Sequence, residues 1–134
     1  MLYGITFPGE TSPVPLQPTL RALTSAGPLY PFIAAYPGWL GVFLTGSDTA
    51  SNALFGSLQR ITAQQLHLNE VLIVATNSTG GVMGKMIDAQ SIMVACAACY
   101  DDAEERSHAL GPIFRRVWWH SVAGAAIIGL IAFL

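Results

Sequence analysis

No Asp, Glu, Lys or Arg occurs from Ala22 to Ser47, a run of 26 residues, or from Val117 to Leu134, a run of 18. A helix crosses the hydrocarbon core of a bilayer with roughly 20 apolar residues. Both runs therefore read as membrane-spanning helices. The rest of the chain agrees, since 52% of it is hydrophobic and only 10% charged, whereas soluble domains carry about 25% charged residues. So few charges cannot wet the surface of an ordinary soluble domain. The net charge is −2, with one lysine and five arginines. No basic stripe is available to follow a phosphate backbone, so nucleic acid is not an expected partner.

The polar residues divide the chain. Residues 1–21, with Pro8, Pro13, Pro15 and Pro18, form an unpatterned, proline-rich stretch without the basic and apolar blocks of a secretory signal. Residues 22–134 carry the apolar pattern. The first span is expected near Ala26–Thr45, broken by Pro28, Pro31 and Pro37. Gly46 to Asn52 (GSDTASN) interrupts it, and a helix is expected from Ala53 to Leu66 with Ser51 or Asn52 as its N-cap. A short apolar piece, Glu70 to Ala75, ends at a second cluster, Thr76 to Gly81 (TNSTGG), before another helix near Val82 to Tyr100. Asp101 to Arg116 holds most of the charges and reads as a water-facing loop. Arg115, Arg116, Trp118 and Trp119 then make a basic and aromatic anchor for the last span, Val117 to Leu134. The expected class is all-α: a polytopic membrane protein fragment with transmembrane helices and broken or re-entrant helices.

Two polar clusters inside apolar sequence are the candidate site. Irregular backbone persists at membrane depth only where it is buried in protein or lines a cavity, and discontinuous helices build substrate sites in many carriers. Helix N-termini attract anions, and hydroxyl and amide side chains bind a carboxylate without placing a charge in the bilayer. Ser47, Thr49, Ser51 and Asn52 in the first cluster, and Thr76, Asn77, Ser78 and Thr79 in the second, are the candidate contacts for a small polar ligand. The alternative is that both clusters are turns outside the membrane. Asp48 stands alone among apolar and neutral residues, a costly placement at depth that suggests a proton or cation site; a helix cap at a wet turn is the competing role. Lys85 could contact an anion or pair with Asp88, three residues on. GGVMGKM is not a phosphate loop, because Thr79 stands where that motif needs Gly and Met86 where it needs Ser or Thr. Gly80 and Gly84 form a GxxxG suited to close helix packing. Cys96 and Cys99 read as packed helix residues rather than a redox or zinc motif. No triad, paired-carboxylate or metal-ligand spacing stands out, so neither an enzyme nor a metal or other cofactor is expected.

Residues 39–66, WLGVFLTGSDTASNALFGSLQRITAQQL, and residues 72–98, LIVATNSTGGVMGKMIDAQSIMVACAA, resemble the L-lactate permease family of bacterial carriers. The last span, with its leading basic residues and His120-Ser121, is similar to that family's C-terminal helix. The family pattern has Ser-Pro where Asp88 and Ala89 stand here. Its members are several times longer, and the resemblance covers their C-terminal portion. It implies proton-coupled uptake of L-lactate, with D-lactate and glycolate as related short 2-hydroxy carboxylates, in a multi-pass protein of the bacterial inner (plasma) membrane. The implied partners are that substrate, a proton, the lipid bilayer and the remainder of the carrier. The resemblance favours Asp48 for coupling, Lys85 for anion contact and the two polar clusters for substrate. A small non-transporting membrane protein that packs through its glycines is the rival reading.

Overall fold

The computed structural model describes residues 25–134; the proline-rich stretch expected at 1–21 lies outside the described residues. A 3-10 turn, Gly27–Leu29, leads into α1 (Tyr30–Ile33) and α2 (Ala35–Thr45). Four more helices follow: α3 (Asp48–Gln65), α4 (Glu70–Lys85), α5 (Ala89–Cys99) and α6 (Ala103–Phe133). All regular structure among the described residues is helical.

Each break has a local cause. Pro37 has no N–H, so the carbonyl of Ile33 loses its helical partner and the chain steps at Ala34. Pro31 is tolerated because it lies in the first turn of α1, where its N–H would be unpaired in any case. α2 stops at Gly46, whose φ of 68° is left-handed and whose N–H still bonds the Val42 carbonyl at 2.7 Å. Ser47 caps α3 by accepting from the Ala50 N–H at 3.2 Å. Asp88 caps α5 by accepting from the Ser91 N–H at 2.9 Å.

Three expectations are corrected. α3 starts at Asp48 rather than Ala53, because Ser47 supplies the cap and an acid in the first turn suits the helix dipole. Thr76 to Gly81 does not interrupt anything and lies within α4. Thr76 and Thr79 turn their hydroxyls back onto the Leu72 and Ala75 carbonyls, each at 2.7 Å, so their polarity is satisfied inside the helix. Asp101 to Arg116 is not a loop beyond its first two residues: α6 begins at Ala103, with Glu104 and Glu105 in its first turn, and runs through Pro112. The spans shift accordingly. Two helical stretches, Glu70–Cys99 (30 residues) and Ala103–Phe133 (31 residues), are long and apolar enough to cross a membrane. The expected span at Ala26–Thr45 is instead short helices broken at Ala34, the longest of 11 residues, which at 1.5 Å per residue covers about half of a bilayer core.

The helices assemble around the crossing of α2 and α4. A Cβ built on Gly80 would collide with the Ala35 carbonyl, on Gly84 with the Trp39 carbonyl, and on Gly38 with the Asn77 carbonyl. Here the two backbones touch directly, which only glycine permits. α6 is locked on by aromatic rings and one hydroxyl. Trp118 lies 5.6 Å from Trp39 and 5.6 Å from Phe114, and Phe43 completes the cluster 6.2 Å from Trp118. Trp39 Nε1 donates to Ser121 Oγ at 2.8 Å, and Ser121 Oγ donates to the Met83 carbonyl, so buried Ser121 ties α2, α4 and α6 together. His120 beside it is exposed, with Nδ1 3.0 Å from the Arg116 carbonyl.

Two stability predictions concern glycines. Gly80→Ala should destabilise by roughly 1–3 kcal/mol, the usual range for overpacking. Gly56→Ala, where a Cβ meets nothing within 4 Å, should stabilise by up to about 1 kcal/mol. Thermal unfolding in detergent micelles checks both, and a Gly80→Ala melt at or above wild type would show that the helices do not touch there. Lys85→Met should lower the melting temperature more than Asp88→Asn. The first strands a carboxylate that is only 2% exposed, whereas the second keeps an oxygen for the Ser91 N–H.

Candidate functional site

The first polar cluster is the opening of α3, and the second lies midway along α4. The two helices pack side by side, so residues 26 positions apart in the chain meet. Asn52 Nδ2 donates to Asp48 Oδ2 at 3.0 Å and to Ser78 Oγ at 3.2 Å. Ser78 Oγ donates to the same Asp48 oxygen at 2.9 Å. Asn77 Nδ2 donates to Asn52 Oδ1 at 2.8 Å. Asp48, Asn52, Asn77 and Ser78 thus form one junction, with Asn77 fully buried. The second oxygen of Asp48, Oδ1, is buried and accepts no hydrogen bond. Gly81 leaves room for it, since a Cβ there would overlap Oδ1. A buried carboxylate oxygen without a donor is expensive to maintain, and it is the one place in this junction where a proton or small cation has an acceptor waiting.

The remaining sequence candidates lie elsewhere. Ser47 is the α3 cap, and Thr49 is exposed. Ser51 is fully buried, and its hydroxyl donates to the Gly38 carbonyl at 2.9 Å, where it holds α3 to α2. Thr76 and exposed Thr79 bond their own helix. Lys85 is half exposed; its Nζ donates to the Gly46 carbonyl and lies 3.1 Å from Asp88 Oδ2. Through its bond to the Gly46 carbonyl, Lys85 joins the α4–α5 break to the α2–α3 break. A Cβ on Gly46 would come 3.0 Å from Gln90 Oε1 and 3.4 Å from Asp88 Oδ1, so the two breaks are neighbours in space.

Sequence reading missed two members. Gln59, fully buried, donates through Nε2 to Asn77 Oδ1 at 3.1 Å and to the Ala34 carbonyl at 2.7 Å. Fully buried Tyr30 donates its hydroxyl to Gln59 Oε1. The signal for Gln59 was present: Asp48, Asn52 and Gln59 fall at i, i+4 and i+11, one stripe of a helix. No comparable sequence signal marks Tyr30, since its pairing joins residues 29 apart.

The chain matches the L-lactate permease family over residues 16–134. It is 52% identical over 112 residues to the glycolate permease of Escherichia coli strain K12 and 49% identical over 113 residues to the L-lactate permease of Salmonella typhi. It is 46% identical over 112 residues to the L-lactate permease of Bacillus subtilis strain 168. Each alignment covers 84% of this chain and only 19% or 20% of the relative, so the chain spans about a fifth of the length of these curated relatives. No solved structure matches it. The matched region contains the whole Asp48–Asn52–Asn77–Ser78 junction and every described helix, and by that match the chain belongs to the L-lactate permease family.

Proposed function

We propose that this chain forms the C-terminal part of a proton-coupled carrier that takes up L-lactate, and with it D-lactate and glycolate, as a multi-pass protein of the bacterial plasma membrane. Family membership supports the transport reading, and the names of the relatives, lactate and glycolate permeases, support a short 2-hydroxy carboxylate as substrate. The observation that carries a site within this segment is the junction of α3 and α4: a carboxylate with one oxygen held by Asn52 and Ser78 and the other buried without a donor.

In this reading Asp48 is the coupling group. Its unpaired oxygen takes the proton, and protonation removes a charge whose burial is unfavourable. Asn52, Asn77 and Ser78 surround it and offer the amide and hydroxyl groups that a hydroxy acid needs. Ser47 and Thr49 flank the same helix start, and Ser51, Thr76 and Thr79 support the local helices with their hydroxyls while contributing at most a remaining lone pair. Lys85 contacts the substrate carboxylate by exchanging Asp88 for it, because the ammonium is otherwise held at the helix breaks. The reaction is translocation without covalent change to the substrate, so no catalytic residue or cofactor enters.

The test is uptake of labelled L-lactate by vesicles carrying the full-length protein. Asp48→Asn preserves shape and hydrogen bonding but cannot release a proton. Uptake should fall at least about tenfold, the scale of one charge-linked interaction, with the protein level in the membrane unchanged. Wild-type uptake by this variant would remove Asp48 from coupling.

A further inference from the structure

Resting on the reading of Asp48 as the coupling group, the structure supports one step more, because the hydrogen bonds that reach Asp48 all point the same way. Tyr30 donates to Gln59, Gln59 to Asn77, Asn77 to Asn52, and Asn52 to Asp48 Oδ2. The direction is forced at both ends. The Ala34 carbonyl can only accept, so the Gln59 atom 2.7 Å from it must be nitrogen. That places Gln59 Oε1 toward Tyr30, whose hydroxyl must then donate. It also requires oxygen on Asn77 opposite Gln59 Nε2, which turns Asn77 nitrogen toward Asn52 and Asn52 nitrogen toward Asp48. The far end, a carboxylate, is again an acceptor. Both termini demand the same orientation, and none of the three amides can flip alone without facing two acceptors or two donors toward each other.

The neighbouring charges leave this chain undisturbed. The only other ionisable groups on α3 and α4 are Arg60, Glu70 and Lys85, and α2 has none carrying charge at neutral pH. Arg60 pairs with Glu70 at 2.9 Å, and Lys85 with Asp88 at the helix breaks. The groups in contact with Asp48 are the neutral Asn52, Ser78 and Gly81.

We propose that Gln59 is a positioning residue for Asp48. Anchored on the Ala34 carbonyl, it fixes the polarity of the whole chain of donors, so that Oδ2 is the hydrogen-bonded oxygen in every state and Oδ1 is the oxygen that exchanges a proton. Protonation forms the O–H bond at Oδ1, which this segment shields from solvent, and the same bond breaks again when the carrier's transport cycle opens that atom to water, so no donor to Oδ2 has to move. The carrier thereby gains and loses its charge without reorganising the core between α3 and α4.

The experiment is infrared difference spectroscopy of the full-length carrier in lipid vesicles, switched between acid and alkaline buffer. The Asp48 carboxyl band is the one that Asp48→Asn removes. Gln59→Met keeps the length of the side chain and never touches Asp48, yet it should shift that band and lower uptake on the order of tenfold. Leu58→Ala, a buried packing change one residue away, should leave the band in place. A folded Gln59→Met carrier whose Asp48 band coincides with wild type overturns the proposal. If Gln59→Met does not fold, Gln59→Glu keeps the size of the side chain but turns the donor that faces Asn77 into an acceptor, and it must shift the band; an unshifted band there overturns the proposal equally. The coupling role of Asp48 fails separately, by wild-type uptake in Asp48→Asn, whatever the band does.

Discussion

The direct contact of the α2 and α4 backbones sets the geometry of everything else described. Gly38, Gly80 and Gly84 remove the side chains that would hold two helices apart, and carbonyls of one helix lie where Cβ atoms of the other would be. In lipid, water no longer drives apolar surfaces together, so close van der Waals packing between small residues takes over that role. The same approach brings Asn77 against Gly38, from where it reaches Asn52, and Gly81 opens the space in which the second oxygen of Asp48 sits. α3 is held in this arrangement by Ser51, whose hydroxyl bonds the Gly38 carbonyl.

Polarity within this apolar assembly follows a strict rule. Nearly every buried polar side chain is either turned back onto its own helix, as Thr62 and Thr76 are, or bound into a network, as Gln59 and Asn77 are. An amide or hydroxyl without a partner costs several kcal/mol in a medium that cannot hydrogen-bond. Against that background the donor-free oxygen of Asp48 stands out. The network places both of its donors to this carboxylate, from Asn52 and Ser78, on the other oxygen.

Much of the architecture was legible in the sequence. Depletion of charge announced helices in an apolar setting, Gly80 and Gly84 announced a close crossing, and the isolated Asp48 announced a special position. What misled was the meaning of polar residues. Thr76 to Thr79 looked like a break, but hydroxyls that bond the preceding turn are compatible with a continuous helix. The acidic cluster before Arg106 looked like a loop, but acids followed by bases are also what a helix N-terminus favours, and α6 starts there. Asn52, Asn77 and Ser78 were chosen for their chemistry alone. Their meeting with one another, and with Gln59 and Tyr30, depends on contacts across 18 to 30 positions that no local pattern encodes.

By itself the sequence determined the class of the chain and the helix end at Gly46, because hydropathy and glycine act within a few residues; the break at Asp88, inside the helix expected near Val82 to Tyr100, it did not reveal. It determined family membership as well, since the family match runs over residues 16–134. Only the tertiary structure decided which polar groups converge, which way their hydrogen bonds run and which oxygen of Asp48 is left open. Those outcomes depend on the relative placement of α2, α3 and α4, and that placement is set where their backbones and buried side chains meet.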